Sequence, residues 1–291
     1  MAAFDEDRLR DMVGLVDAQH ERRLRIHGTE FSFEQQARPL STGTRIWPSS
    51  VQLAAYLDAS PNALSKLCPG IDISRCSVLE LGAGCCGIGG IAFALAGAAS
   101  VTVTDGDPEA VELLHANLAA NQSRLPAAVH CCEYKWGQQE PSSTKAGLSP
   151  PYDILLGADI VNPDTLPQQQ ALVEALSALS HPRTVTILAI QDRPYADIAG
   201  FRALLQARSF SVSETRLGTC GQPMPSSRLG RMHRHFMRSV LRPVTPRSHR
   251  GATAASGGSA RRLDESARVT LRVCTNVQAA GAPPQKAKET L

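Results

Sequence analysis

The chain has 291 residues, 43% hydrophobic and 20% charged, with a formal net charge of +3. This length supports one large domain or two small ones with a substantial core, and the charge is too small to indicate a nucleic-acid binder by itself. Its eight cysteines include two adjacent pairs, Cys85-Cys86 and Cys131-Cys132, and show no paired C-x-x-C spacing, which argues against a secreted disulfide framework and a structural zinc site and for free thiols in a reducing compartment. The start, M-A-A-F-D-E-D-R, carries acid early and no apolar run follows, which argues against a signal or transit peptide. The apolar run from Ile88 to Ala99 is too short and too rich in glycine for a membrane span. A cytoplasmic monomer is expected, with the nucleus as the other compartment.

In chain order, Asp5 to Ile26 reads as a charged helix with Leu9, Val13 and Val16 as its apolar stripe. Phe31 to Glu34 and Thr44 to Trp47 read as short strands, and Pro48 opens a helix whose apolar positions follow in V-Q-L-A-A-Y-L. From Ser77 onward strands and helices alternate. The strands are V-L-E-L (78–81), V-T-V-T-D (101–105), A-A-V-H-C-C (127–132), Y-D-I-L-L-G-A-D-I-V (152–161), T-V-T-I-L-A-I (184–190) and F-S-V-S-E-T (210–215). The helices are 91–96, 108–121, 166–179 and 198–207. This alternation predicts an α/β protein with a largely parallel sheet. The segment 218–266 is basic and rich in Ser, Gly and Pro, and reads as a partly disordered insertion. Within it Arg228, Arg231, Arg234, Arg238 and Arg242 recur every three or four residues beside Leu229, Met232, Phe236 and Val240, the pattern of a basic amphipathic helix that suits an acidic partner or RNA, set against the plainer reading of a solvated insertion. His233 and His235 belong to its polar face. A-R-V-T-L-R-V-C (267–274) reads as a further strand, and 279–291 as a loose end. The expected division is an N-terminal helical extension (1–30), a main domain (31–217), the insertion (218–266), a last strand (267–278) and the flexible C-terminus (279–291).

The stretch L-E-L-G-A-G-C-C-G-I-G-G (79–90) lies between a strand and a helix, and Asp105 ends the next strand. Glycines let a ligand approach the amides at a helix start, and an acid about 20 residues on accepts hydrogen bonds from ribose hydroxyls. Dinucleotide and S-adenosylmethionine sites share this device. Glu80, in E-L-G-A-G, favours S-adenosylmethionine, because a carboxylate there suits a cationic ligand or holds the loop and is less welcome near a pyrophosphate. T-D-G-D-P and the G-A-D that ends the fourth strand point the same way.

G-T-R-I-W-P-S-S, E-L-G-A-G, V-T-D-G-D, E-Y-K-W-G and Y-D-I-L-L-G-A-D-I-V, followed by Gln191-Asp-Arg193, occur in that order. Together they resemble the seven-β-strand methyltransferases that modify protein lysines, over roughly residues 31 to 215. The resemblance implies a Rossmann-like seven-stranded sheet with helices on both faces, a last strand running antiparallel between the fifth and sixth, S-adenosylmethionine as cofactor and a protein substrate. It implies that Trp47, Gly82, Ala83 and Gly84 surround the methionine part of the cofactor. Asp105 would bind the ribose, Trp136 lie against adenine, and Ala158 line the same pocket. Asp159 would face the reacting centre, from the start of the family's Asp-x-x-Tyr motif.

The chain departs from that pattern twice. Asn162 stands where the motif has Tyr, and Asn162-Pro163 is also a turn-starting pair. The glycine loop carries one extra cysteine, which reads as a small buried filler in preference to a redox group. The leading function is therefore an S-adenosylmethionine-dependent protein-lysine methyltransferase with Asp159 and Asn162 at the acceptor. The second reading is a methyltransferase acting on another side chain or a small molecule, and the third a non-catalytic binding module.

Overall fold

The computed structural model describes residues 21–36, 41–59, 62–126, 129–137, 147–191, 196–216 and 269–276. Residues 5–20 of the expected first helix, the insertion 218–266 with its basic stretch 228–242, and the C-terminus 279–291 lie outside them. The described residues belong to one compact unit, formed by 1–218 with 268–291.

The first element corrects the sequence reading. Glu21–Ile26 (β1) is a strand and pairs antiparallel with Thr29–Glu34 (β2). In R-R-L-R-I only Leu24 and Ile26 are buried, an alternation with period two, and Phe31 and Phe33 match them from β2. His27 and Gly28 between the strands both have positive φ, as a tight hairpin turn requires. The boundary expected at residue 30 thus falls inside β2. Thr44 to Trp47 is also not a strand. Thr42–Thr44 is a single 3-10 turn capped by the Ser41 side chain, and the Trp47 indole N–H bonds back to the Thr42 carbonyl at 2.9 Å. The segment closes on itself and offers no edge for pairing.

The remaining elements are Pro48–Ala59 (α1), Ala63–Leu67 (α2), Ser77–Leu81 (β3), Ile88–Leu95 (α3), Ser100–Asp105 (β4), Pro108–Ala120 (α4), Val129–Glu133 (β5), Tyr152–Ala158 (β6), Gln169–Ala178 (α5), Ser180–Gln191 (β7), Ile198–Ala207 (α6), Phe210–Arg216 (β8) and Val269–Asn276 (β9). Helix α5 starts three residues later than expected, because Pro163–Gln168 is a 3-10 segment with Pro167 inside it; proline has no N–H for an α-helical bond.

The sheet has seven strands in the order β5-β4-β3-β6-β7-β9-β8. The first five are parallel and β9 runs antiparallel between β7 and β8, the place expected for the last strand. Successive residues of β3 serve opposite faces. Val78 packs with Leu53 of α1, Ile91 of α3 and Leu114 of α4, whereas Leu79 and Leu81 pack with Leu172 and Leu176 of α5 and Phe201 of α6. Both faces are covered, which explains the unbroken apolar run of β6. The chain leaves β3 for β4 and β5 on one side and returns to β6 on the other. The crevice at the carboxyl ends of β3 and β6 is therefore a topological switch point, where open α/β sheets bind ligands. Among the described residues no helix is long and apolar enough to cross a membrane.

Candidate active site

One cavity of about 430 Å³ opens at that switch point. Trp47, Glu80, Gly82, Ala83, Gly84, Asp105, Trp136, Ala158, Asp159 and Asn162, which lie up to 115 positions apart in the chain, all line it.

The loop after β3 forms one wall. Gly82 and Gly84 have φ of +61° and +60°. A Cβ on Gly82 would sit 2.5 Å from the Ile160 side chain and 3.4 Å from the Trp136 ring, and one on Gly84 would sit 2.9 Å from the Gly43 carbonyl oxygen. Only glycine meets both demands. The additional residue is absorbed in a turn over 84–86. Cys85 and Cys86 are buried with free thiols 3.4 Å apart, and burial pushes the Cys86 thiol well up, which leaves it a poor nucleophile. Both side chains pack in the core beneath the loop, and Cys86 also borders the cavity.

Asp105, at the end of β4, accepts the Gly84 N–H at 2.8 Å through Oδ2 and the Asp107 N–H at 3.0 Å through Oδ1. Burial raises its pKa, against the lowering effect of the Asp107, Gly84 and Gly106 amides. Glu80 lines the cavity and also braces its loop. It is 1% exposed, and its Oε2 accepts the Gly90 N–H at 2.7 Å in the first turn of α3. Desolvation raises its pKa to about 7, against the amides of Gly90 and Gly89. It pins the loop to the helix.

The opposite wall follows β6. The strand ends because Asp159 adopts φ +61°, a left-handed conformation that Asp tolerates better than most residues. Its N–H still reaches the Ala189 carbonyl at 2.8 Å, which fixes it against β7, and the residue is 5% exposed. Asn162 turns its amide onto the same loop. Its Nδ2 donates to the Asp159 carbonyl at 2.7 Å, its Oδ1 accepts the Thr165 N–H at 3.2 Å, and its own N–H donates to Thr165 Oγ1 at 3.0 Å. Asn162 shapes this wall and holds the Asp159 main chain in place.

The sequence reading missed the roof. Ser41, Thr42, Gly43 and Arg45 line the cavity, and the Gly43 carbonyl accepts the Cys85 N–H at 2.7 Å. Asp107 and Lys135 also line it. Asp107 carried a signal, since Asp followed by Pro is a helix start, and its Oδ1 caps α4 through the Glu109 N–H. Gly43 and Lys135 carried none of their own.

These residues fit S-adenosylmethionine. The glycine loop, the Asp105 carboxylate at the end of β4 and both tryptophans line one cavity at the switch point. Among the described residues no cluster of His, Cys, Asp and Glu could hold a metal ion. Fold and site together define an S-adenosylmethionine-dependent methyltransferase. Within that class the chain belongs to the lysine methyltransferase family, whose model matches residues 26–207. It is 33% identical over 183 residues to the protein N-lysine methyltransferase METTL21A of Mus musculus, covering 62% of this chain and 74% of that protein. It is 31% identical over 185 residues to METTL21A of Xenopus tropicalis, covering 60% and 76%. Among solved structures it is similar to a chain from Streptococcus mutans assigned as a SAM-dependent methyltransferase (TM-score 0.51, 13% identity, 89% of this chain and 56% of that one). It is similar also to the methyltransferase SMU.776 complexed with SAH (TM-score 0.52, 13% identity, 89% and 57%). At that identity the likeness concerns the fold.

Proposed function

We propose that this chain methylates lysine side chains of proteins at the switch-point cavity, with the cofactor against the glycine loop and the lysine entering along the wall of Asp159 and Asn162. The observation that carries this division is the placement of four carboxylates around one cavity. Glu80 is tied to α3, Asp105 to the Gly84 and Asp107 amides, and Asp107 to the start of α4. Asp159 lines the cavity from the end of β6, where its N–H bonds to the Ala189 carbonyl of β7.

When bound, S-adenosylmethionine supplies an activated sulfonium methyl. The chain's own work is then mainly positioning and the exclusion of water. Asp105 is placed to receive the ribose hydroxyls, and Trp47, Trp136 and Ile160 give the cavity apolar walls. A lysine arrives as an ammonium and reacts as a neutral amine. The Asp159 carboxylate is placed to hold the ammonium by charge and to accept its proton. Asn162, through the Asp159 carbonyl, keeps that carboxylate where the strand ends. The basic stretch 228–242 would steer an acidic protein substrate by charge.

Calorimetric titration with S-adenosylhomocysteine tests the cofactor half. Saturable binding with one site per chain is expected, and a folded, cofactor-free sample that takes up none would overturn the assignment.

A further inference from the structure

Asn117 lies in the last turn of α4 and is 2% exposed. Its Oδ1 accepts the Glu34 N–H at 2.7 Å, while its Nδ2 donates to the Glu34 carbonyl at 2.9 Å and to the Cys85 carbonyl at 2.7 Å. One amide thus meets the end of β2 as a neighbouring strand would, and with its second hydrogen holds the glycine loop. The two N–H groups of the amide match the two carbonyls, so no donor is left over. The Cys85 N–H is held from the other side by the Gly43 carbonyl. Cys85 is therefore clamped at both of its backbone groups, next to Gly84, whose N–H meets Asp105.

Asn121, one turn further along α4, supplies an internal comparison. It makes the same paired contact with the hairpin, accepting the Ser32 N–H at 3.1 Å and donating to the Ser32 carbonyl at 2.6 Å. Its other bond, however, goes to the Asn117 carbonyl at 2.9 Å, inside its own helix. Both asparagines dock the hairpin; only Asn117 extends to the loop.

We propose that Asn117 is a positioning residue for the cofactor, and that through it the β1–β2 hairpin sets the shape of the loop and hence cofactor affinity. This rests on the reading of the cavity as the cofactor site. Without Asn117 the Cys85 carbonyl loses its buried donor and the turn over 84–86 is held from one side only.

The test uses the full chain, as wild type, Asn117→Ala and Asn121→Ala, titrated calorimetrically with S-adenosylhomocysteine. The loss of a buried hydrogen bond to the loop should raise Kd about tenfold in Asn117→Ala. Asn121→Ala should lower the melting temperature yet leave Kd within about twofold, the span of an undisturbed site. Turnover of Asn117→Ala at saturating cofactor should stay close to wild type, so that the effect lies in the cofactor KM and not in kcat. Equal Kd values for the two variants, with the wild type binding normally, overturn the proposal alone. A wild type that binds nothing overturns the cofactor reading and the proposal with it. Should Asn117→Ala fail to fold, hydrogen exchange on the wild type decides the matter. S-adenosylhomocysteine should slow exchange of the Glu34 N–H, whose partner is Asn117, more than that of the Ser32 N–H, whose partner is Asn121; an equal response contradicts the coupling.

Discussion

The two walls of the cavity are built on different principles. The wall proposed for the cofactor joins three segments distant in sequence, 41–47, 82–87 and 105–107, through the Gly43 carbonyl, which accepts the Cys85 N–H, and the Asp105 carboxylate, which accepts the Gly84 and Asp107 N–H groups. The wall proposed for the lysine is one short loop, 159–165, tied together by the side chains of Asn162 and Thr165 and held to β7 through the Asp159 N–H. A rigid, many-stranded construction suits a ligand that never changes. The 159–165 loop takes its own shape from Asn162 and Thr165, while its Ile160 lies against Gly82 of the glycine loop. Changes to the first wall should therefore act on cofactor binding and stability together, and changes to the second on transfer.

The largest effect is expected at Gly82. Gly82→Ala must adopt a left-handed backbone and push Ile160 aside. The two demands together cost about 2–4 kcal/mol, visible in urea denaturation, and weaken S-adenosylhomocysteine binding by about 100-fold. Asp159→Asn is the counterpart on the other wall. It should lower kcat by about 100-fold or more while cofactor Kd, measured calorimetrically, stays unchanged. A parallel loss of cofactor affinity would erase the distinction between the walls.

Glu80 sharpens the comparison through pH. Its pKa is raised from 4.5 to about 7 by burial, so the folded state binds the proton more tightly than the unfolded chain. The associated stability is fully present below about pH 4.5 and is lost as pH rises to about 7, a change on the order of 3 kcal/mol. Glu80→Gln keeps an acceptor for the Gly90 N–H and has nothing to titrate. Its unfolding free energy should lack that slope, and subtracting the two pH profiles isolates the effect. The smallest effect is expected from Asn162→Ala. It removes two hydrogen bonds of the acceptor loop and should cost about 1–2 kcal/mol of stability. The KM for the protein substrate should rise, with cofactor Kd unmoved.

Much of this site was legible in the sequence because its parts carry local signatures. Gly82 and Gly84 follow a strand, Asp105 ends the next, and Asn162-Pro163 reads as a turn, the role Asn162 takes in the structure. Phe31 to Glu34 reads as a strand and is one, whereas β1 departs from its helical reading because R-R-L-R-I has too few apolar positions to separate period two from period 3.6. The role of Glu80 was left open between ligand and loop until its bond to Gly90 was visible. Asn117 was hidden for another reason. Its partners lie 83 and 32 positions away, and nothing in N-L-A-A-N distinguishes an asparagine that anchors a loop from one that ends a helix.

The central claim is that the cavity joins a cofactor wall to a lysine-accepting wall. It is tested most directly by incubating the purified chain with methyl-labelled S-adenosylmethionine and cell lysate, then hydrolysing the labelled protein to amino acids. Label in methylated lysine, absent with Asp159→Asn protein that still binds cofactor, is the expected result. Label confined to small molecules or to another amino acid would contradict it.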